Sequence, residues 1–155
     1  MAKQSLAVTL SSGSAASAAA ELIASATARV YLTRIKIFSN TATQCIFGIG
    51  RPAATGITPT SPVTLLAHDT ADQSPTASVA VAWGTGPTIP AAYMYIAETA
   101  AVAGSGVDLE FSEGIVIAPG KSLVLWNIGA GADNGICDVT FEVSTTPAAQ
   151  TRQIR

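Results

Sequence analysis

Residues 114–127 read Gly-Ile-Val-Ile-Ala-Pro-Gly-Lys-Ser-Leu-Val-Leu-Trp-Asn. Two apolar, β-rich runs flank a Pro-Gly turn, which predicts a hairpin turning at residues 118–121. The same grammar recurs along most of the chain, and no long amphipathic helix competes with it. Eight to ten short strands separated by Gly/Pro connections specify an all-β domain, a two-sheet β-sandwich of jelly-roll type.

The strands are read as follows. Residues 5–10 alternate Leu6, Val8 and Leu10. Residues 11–20 are small and loop-like, followed by a brief strand at 21–24, with a helix over 15–26 as the alternative. Residues 29–39 form the strongest strand, whose apolar phase shifts near Arg34 and predicts a bulge or burial on both faces. Strands follow at 44–50, 63–67, 78–83, 93–98 and 107–111. In the third of these, Val79, Val81 and Trp83 share a side. Residues 51–62 hold Pro52, Pro59 and Pro62 and read as an irregular connection, because proline cannot donate to a ladder. Residues 136–143 close the domain. The expected organisation is an N-terminal arm with a short strand (1–20), a sandwich (21–143) and a C-terminal tail (144–155), both ends being flexible. The expected core contains Val30, Leu32, Ile35, Val79, Val81, Leu123, Leu125, Val139 and Phe141.

Composition narrows the function. Only 12% of the 155 residues are charged, against roughly 25% in ordinary soluble domains. So little charge favours a subunit covered by other protein over a free enzyme. No apolar run reaches the length of about 18 residues that a membrane-spanning helix requires. The first residues lack the pattern of a secretory signal, so a cytosolic site of synthesis and assembly is expected. Charge is unevenly spread. Between Leu22 and His68 stand Arg29, Arg34, Lys36 and Arg51 with no acid, whereas nine acids and one base lie between Asp69 and Glu142. Two explanations stay open: pairing of early strands with late ones inside the chain, or complementarity with a partner. Trp83 and Trp126, each closing an apolar run, join the four basic residues as candidate interface residues, since tryptophan is enriched at interfaces. An acidic pI and the lack of a basic patch interleaved with aromatics argue against nucleic acid.

Reactive constellations are absent from the sequence. Gly48-Ile-Gly50-Arg-Pro-Ala53 fits a dinucleotide-binding spacing, but the prolines that follow forbid the helix it needs. Gly120-Lys121-Ser122 precedes a strand, so its amides would not converge on a phosphate. His68, the single histidine, has only Asp69 and Asp72 nearby, a weak metal signal. No Gly-x-Ser-x-Gly elbow supplies a nucleophile. Asp108 and Glu110 stand two apart on one strand face, and with Glu113 read as solvent-facing acids before they read as a glycosidase pair. Cys45 and Cys137 are expected as reduced, buried thiols, with a disulfide open to them if their strands are neighbours. No catalytic residue, cofactor or small-molecule substrate is expected.

Four segments carry a resemblance: residues 29–40, residues 47–53 (Phe-Gly-Ile-Gly-Arg-Pro-Ala), residues 82–88 (Ala-Trp-Gly-Thr-Gly-Pro-Thr) and residues 114–127. A strand ending in Ser-Asn, one ending in Gly-x-Gly and a late Pro-Gly-x-Ser-Leu turn are similar to small structural proteins of tailed bacteriophages, in particular head-decoration proteins. The resemblance implies a jelly-roll subunit, homotrimeric, on the outside of the virion, cementing neighbouring copies of the major capsid protein. It carries no catalytic residue. The alternative is a tail, baseplate or receptor-binding module that recognises a host glycan.

Overall fold

The computed structural model describes residues 3–11, 17–71, 74–129 and 135–146. Thirteen strands and no helix are present among them: β1 (Lys3–Ser11), β2 (Ser17–Ala24), β3 (Val30–Ser39), β4 (Ile46–Gly50), β5 (Ile57–Pro59), β6 (Val63–Thr64), β7 (Leu66–Ala67), β8 (Ala77–Ala80), β9 (Trp83–Thr85), β10 (Tyr95–Glu98), β11 (Gly106–Ile117), β12 (Ser122–Asn127) and β13 (Ile136–Ser144). One sheet runs β11-β3-β13-β1-β7, the other β10-β4-β12-β2-β8-β6, and β5 pairs with β9 alone. All paired strands are antiparallel.

Removing β5 to β9 leaves four strands in each sheet, β11-β3-β13-β1 facing β10-β4-β12-β2. The chain changes sheet at every connection except that between β4 and β10. That is the jelly-roll winding. The segment between β4 and β10 is a long insertion that adds β7 beside β1, β8 beside β2 and β6 beside β8.

The core forms where alternate residues of both sheets meet. Leu6, Leu10, Val30, Leu32, Ile35, Ile37, Ile115, Ile117, Val139, Phe141 and Val143 come from the first sheet. Ala20, Leu22, Phe47, Ile49, Val79, Leu123 and Leu125 come from the second. The phase shift in β3 is a bulge: its register with β13 slips between Glu142 and Val143, and the Thr33 hydroxyl donates to the Glu142 carbonyl at 3.0 Å. Buried positions thus jump from Val30 and Leu32 to Ile35 and Ile37.

Several sequence expectations need correction. The segment at 114–127 is an arch between sheets, not a hairpin: β11 and β12 do not pair. Its turn bonds instead to the end of β2, through Gly120 N to Ser25 O (2.9 Å) and Ala24 N to Lys121 O (3.0 Å). A Pro-Gly turn between apolar runs suits either geometry, because Ile117 and Leu123 are buried in both. Residues 17–20 continue β2, because they pair with the end of β12, Ala18 opposite Trp126 and Ala20 opposite Leu125, where a helix could bury little. Residues 63–67 split at buried Leu65 into strands of different sheets. The strand at 78–83 ends at Ala80, so Val81 leaves the core and is 48% exposed. The irregular connection holds β5, with Thr58 and Ser61 at positive φ.

Most of the expected N-terminal arm is integral. β1 pairs with β13 at nine positions, from Lys3↔Ser144 to Ser11↔Ile136. Residues 1–2, 12–16 and 147–155 lie outside the described residues. Leu125, buried at the centre of the second sheet, gives a direct check on the packing. Leu125→Ala is expected to lower stability by about 2–5 kcal/mol in urea denaturation.

Candidate functional site

The second sheet is buried on both faces at β12. Leu123 and Leu125 enter the core, while Ser122, Val124 and Trp126 point outward and are buried nonetheless. The cover is the insertion, and one buried side chain of the sheet bonds to it directly. Glu21 of β2 is completely buried. Its Oε1 accepts from the Ser122 hydroxyl at 2.7 Å and from Gly56 N at 3.2 Å. Its Oε2 accepts from Trp83 Nε1 at 2.7 Å. A Cβ on residue 56 would come within 2.5 Å of the indole and 2.7 Å of the carboxyl, so only glycine admits this approach. The other end of the insertion rests on Gly48, where a Cβ would lie 2.7 Å from the Tyr93 ring. The Gly-x-Gly pattern of β4 therefore serves aromatic packing.

Between these anchors runs a groove of about 480 Å³ lined by Ser17, Ala18, Trp83, Pro87, Ile89 and Trp126. The structure thus brings the two sequence-selected tryptophans together. Trp126 is buried and its Nε1 has no hydrogen-bond partner among the described residues, while Trp83 is only half-buried and is fixed through its N–H.

The two lateral sides of the sandwich differ. On one, β6 and β7 are consecutive and pass directly from sheet to sheet through Leu65, closing that side. On the other stand the terminal strands β10 and β11. They are linked by ring contact of Tyr95 with Phe111 (centroids 5.1 Å apart), and Arg51, just after β4, reaches β11 with its Nη2 donating to the Val116 carbonyl at 3.0 Å. A groove of about 410 Å³ lies there, lined by Tyr95 and the β11 bulge between Glu110 and Ile115. Around it Met94, Tyr95, Ile96 and Val116 are exposed, Ile96 by 63%.

The basic residues separate. Arg29 is exposed ahead of β3. Arg34 makes a two-pronged pair with Asp108 of β11, Nε–Oδ1 2.8 Å and Nη2–Oδ2 2.5 Å. Lys36 stands opposite Asp108 across the β3–β11 ladder, and Arg51 bridges the open side. With Lys3–Glu142 (3.7 Å) added, part of the charge asymmetry is used by pairing early strands with late ones. The Arg34 hydrogen bonds hold Asp108 below the usual carboxylate range. Hydrogen bonds from Thr9 (2.7 Å) and Asn40 (2.8 Å) do the same for Asp138.

Elsewhere, His68 Nε2 contacts the Ser5 hydroxyl at 2.8 Å on the surface. Asp72 lies outside the described residues. Among the described residues no cluster of three or more His, Cys, Asp or Glu forms, and no helix is long and apolar enough to cross a membrane. Sequence reasoning missed the Glu21 site. A lone acid in an Ala-rich run, with Ser122 and Trp83 far along the chain, gave no local signal of convergence.

No protein-family model and no curated protein matches the chain. Among solved structures, the lectin domain of PapG from E. coli, determined in complex with 4-methoxyphenyl β-D-galabiose, aligns over 99% of this chain and 88% of its own. The identity is 8% and the TM-score 0.19, too low to carry an argument.

Two outcomes are expected. Glu21→Ala orphans three donors and should cost roughly 2–4 kcal/mol, with Trp83 fluorescence shifting as its partner is lost; equilibrium urea denaturation and emission spectra measure both. Acid should also destabilise the fold. Asp108 and Asp138 have depressed folded pKa values, so their contribution is complete above the unfolded carboxylate value and falls away below about pH 4. Thermal midpoints measured against pH should show that limb, and Asp138→Asn should flatten it.

Proposed function

We propose that the chain is a non-enzymatic structural subunit of a tailed-phage particle, a capsid decoration protein that bridges neighbouring capsid subunits as a homotrimer. The observation that carries this reading is the open side of the sandwich. Two edge strands, β10 and β11, lie side by side, and no strand among the described residues pairs with their outer edges. They are flanked by exposed Met94, Tyr95, Ile96 and Val116. A monomeric protein protects such edges with charge, proline or cover, and contiguous exposed apolar surface marks an interaction site. The low charge content and the phage-protein resemblance support the same reading. Arg29, Lys36 and the open β10–β11 side are the surfaces through which neighbours would dock, with complementary charge setting register and encounter rate more than affinity.

The groove at Trp83 and Trp126 favours a second reading, a receptor-binding module that holds a host glycan against the half-buried indole of Trp83.

Light scattering on the purified chain tests oligomerisation. A mass three times 15.6 kDa is expected, and Ile96→Lys should shift the population to monomer without lowering its melting temperature. A wild-type monomer at micromolar concentration sinks the trimer. The cement role predicts that particles lacking the protein lose resistance to heat and osmotic shock. Equal survival counts against it, and saturable saccharide binding lost in Trp83→Ala moves the assignment to the second reading.

A further inference from the structure

Cys45 and Cys137 come from opposite sheets and meet inside the sandwich. Cys45 lies just before β4, at the end of the connection that carries the chain over from β3. Cys137 is the second residue of β13. Both are buried, both are free thiols, and their sulfurs are 2.6 Å apart. Their backbones are firmly placed. Cys45 N accepts no freedom from its loop: it donates to the Thr99 hydroxyl at 3.1 Å while Thr99 N donates to the Cys45 carbonyl at 3.0 Å. Cys137 is paired on both sides, with Ser39 in β3 and Leu10 in β1. The sulfurs need only close from 2.6 Å to bonding distance, about 2.05 Å.

We propose that Cys45 and Cys137 are a modification site, a thiol pair that a small-molecule disulfide such as glutathione disulfide oxidises to a cystine clamping the two sheets. One thiolate attacks glutathione disulfide and releases a glutathione thiolate. The other protein thiolate then attacks the mixed disulfide and releases the second. Both cysteine thiols lose their protons, two glutathione molecules are formed, and the sulfur–sulfur bond passes from glutathione to the protein. Burial, reinforced by the contact with Cys45, pushes the Cys137 thiol up to about 12. Exchange in the closed sandwich is therefore slow, and the bond forms as the chain folds or opens. The same burial shields the bond from reductants afterwards. The cystine would close a loop spanning 92 positions, long enough for a large restriction of the unfolded chain. This clamp is independent of the proposed assembly role.

The test refolds the full chain in a glutathione redox buffer, unfolds it again and treats it with iodoacetamide before intact-mass analysis. The expected product has lost two hydrogens, takes up no alkylating agent and yields one cross-linked peptide containing Cys45 and Cys137. It should melt roughly 10 °C above the same protein after reduction. Reductant should leave the melting temperature of Cys45→Ala unchanged. Two alkylated thiols, glutathione adducts or intermolecular dimers would overturn the site. An internal cystine that leaves the melting temperature unchanged or lower would overturn the clamp.

Discussion

Three donors converge on the buried carboxyl group of Glu21, and the insertion over the second sheet is held through it. Ser122 belongs to the neighbouring strand, whereas Gly56 and Trp83 belong to the cover, so the carboxyl joins layers that share little regular pairing. Burying a carboxyl group is costly unless its lone pairs are satisfied; here both oxygens have partners. The consequence reaches β12, whose outward residues Val124 and Trp126 stay dry because the cover is in place. The central strand of the second sheet is thus apolar on both faces, which is unusual for an antiparallel sandwich.

Class and layer architecture were legible because they rest on local pattern. β13 alternates cleanly, β3 announced its bulge by a change of phase, and Pro/Gly connections marked the ends of β4, β9, β11 and β12. Expectations failed where two arrangements share one local pattern. Ile117 and Leu123 are buried whether residues 118–121 form a hairpin or an arch, so the sequence could not say which. Val81 continued an alternation that the backbone had already abandoned at Ala80. β2 was shortened because its alanines supply little apolar signal, although small side chains are what a strand packed between two neighbours can use. The Glu21 site was invisible for a different reason: positions 21, 56, 83 and 122 meet only in the folded chain.

The two lateral sides of the sandwich have opposite characters. Where β6 runs into β7, one short segment satisfies both sheets and leaves no gap between them. At β10 and β11 the sheets are joined by a ring contact and one arginine, with apolar side chains outside. An isolated domain gains nothing from that asymmetry, whereas a subunit with one finished side and one unfinished side has a direction in which to associate. The pairing of Arg34 with Asp108 also leaves fewer charges to oppose such an approach.

The place of β13 has a consequence for how the chain reaches this state. The last strand lies between β3 and β1, so the first sheet lacks its middle until residues 136–144 have been made. Until then β1 and β3 have no common neighbour, and the edges that they later present to β13 stay open. Pairings so distant in sequence close slowly, and exposed edges at that stage invite association between chains. Productive folding of the first sheet therefore waits for β13, and a chain cut before residue 136 is an aggregation-prone fragment instead of a smaller domain.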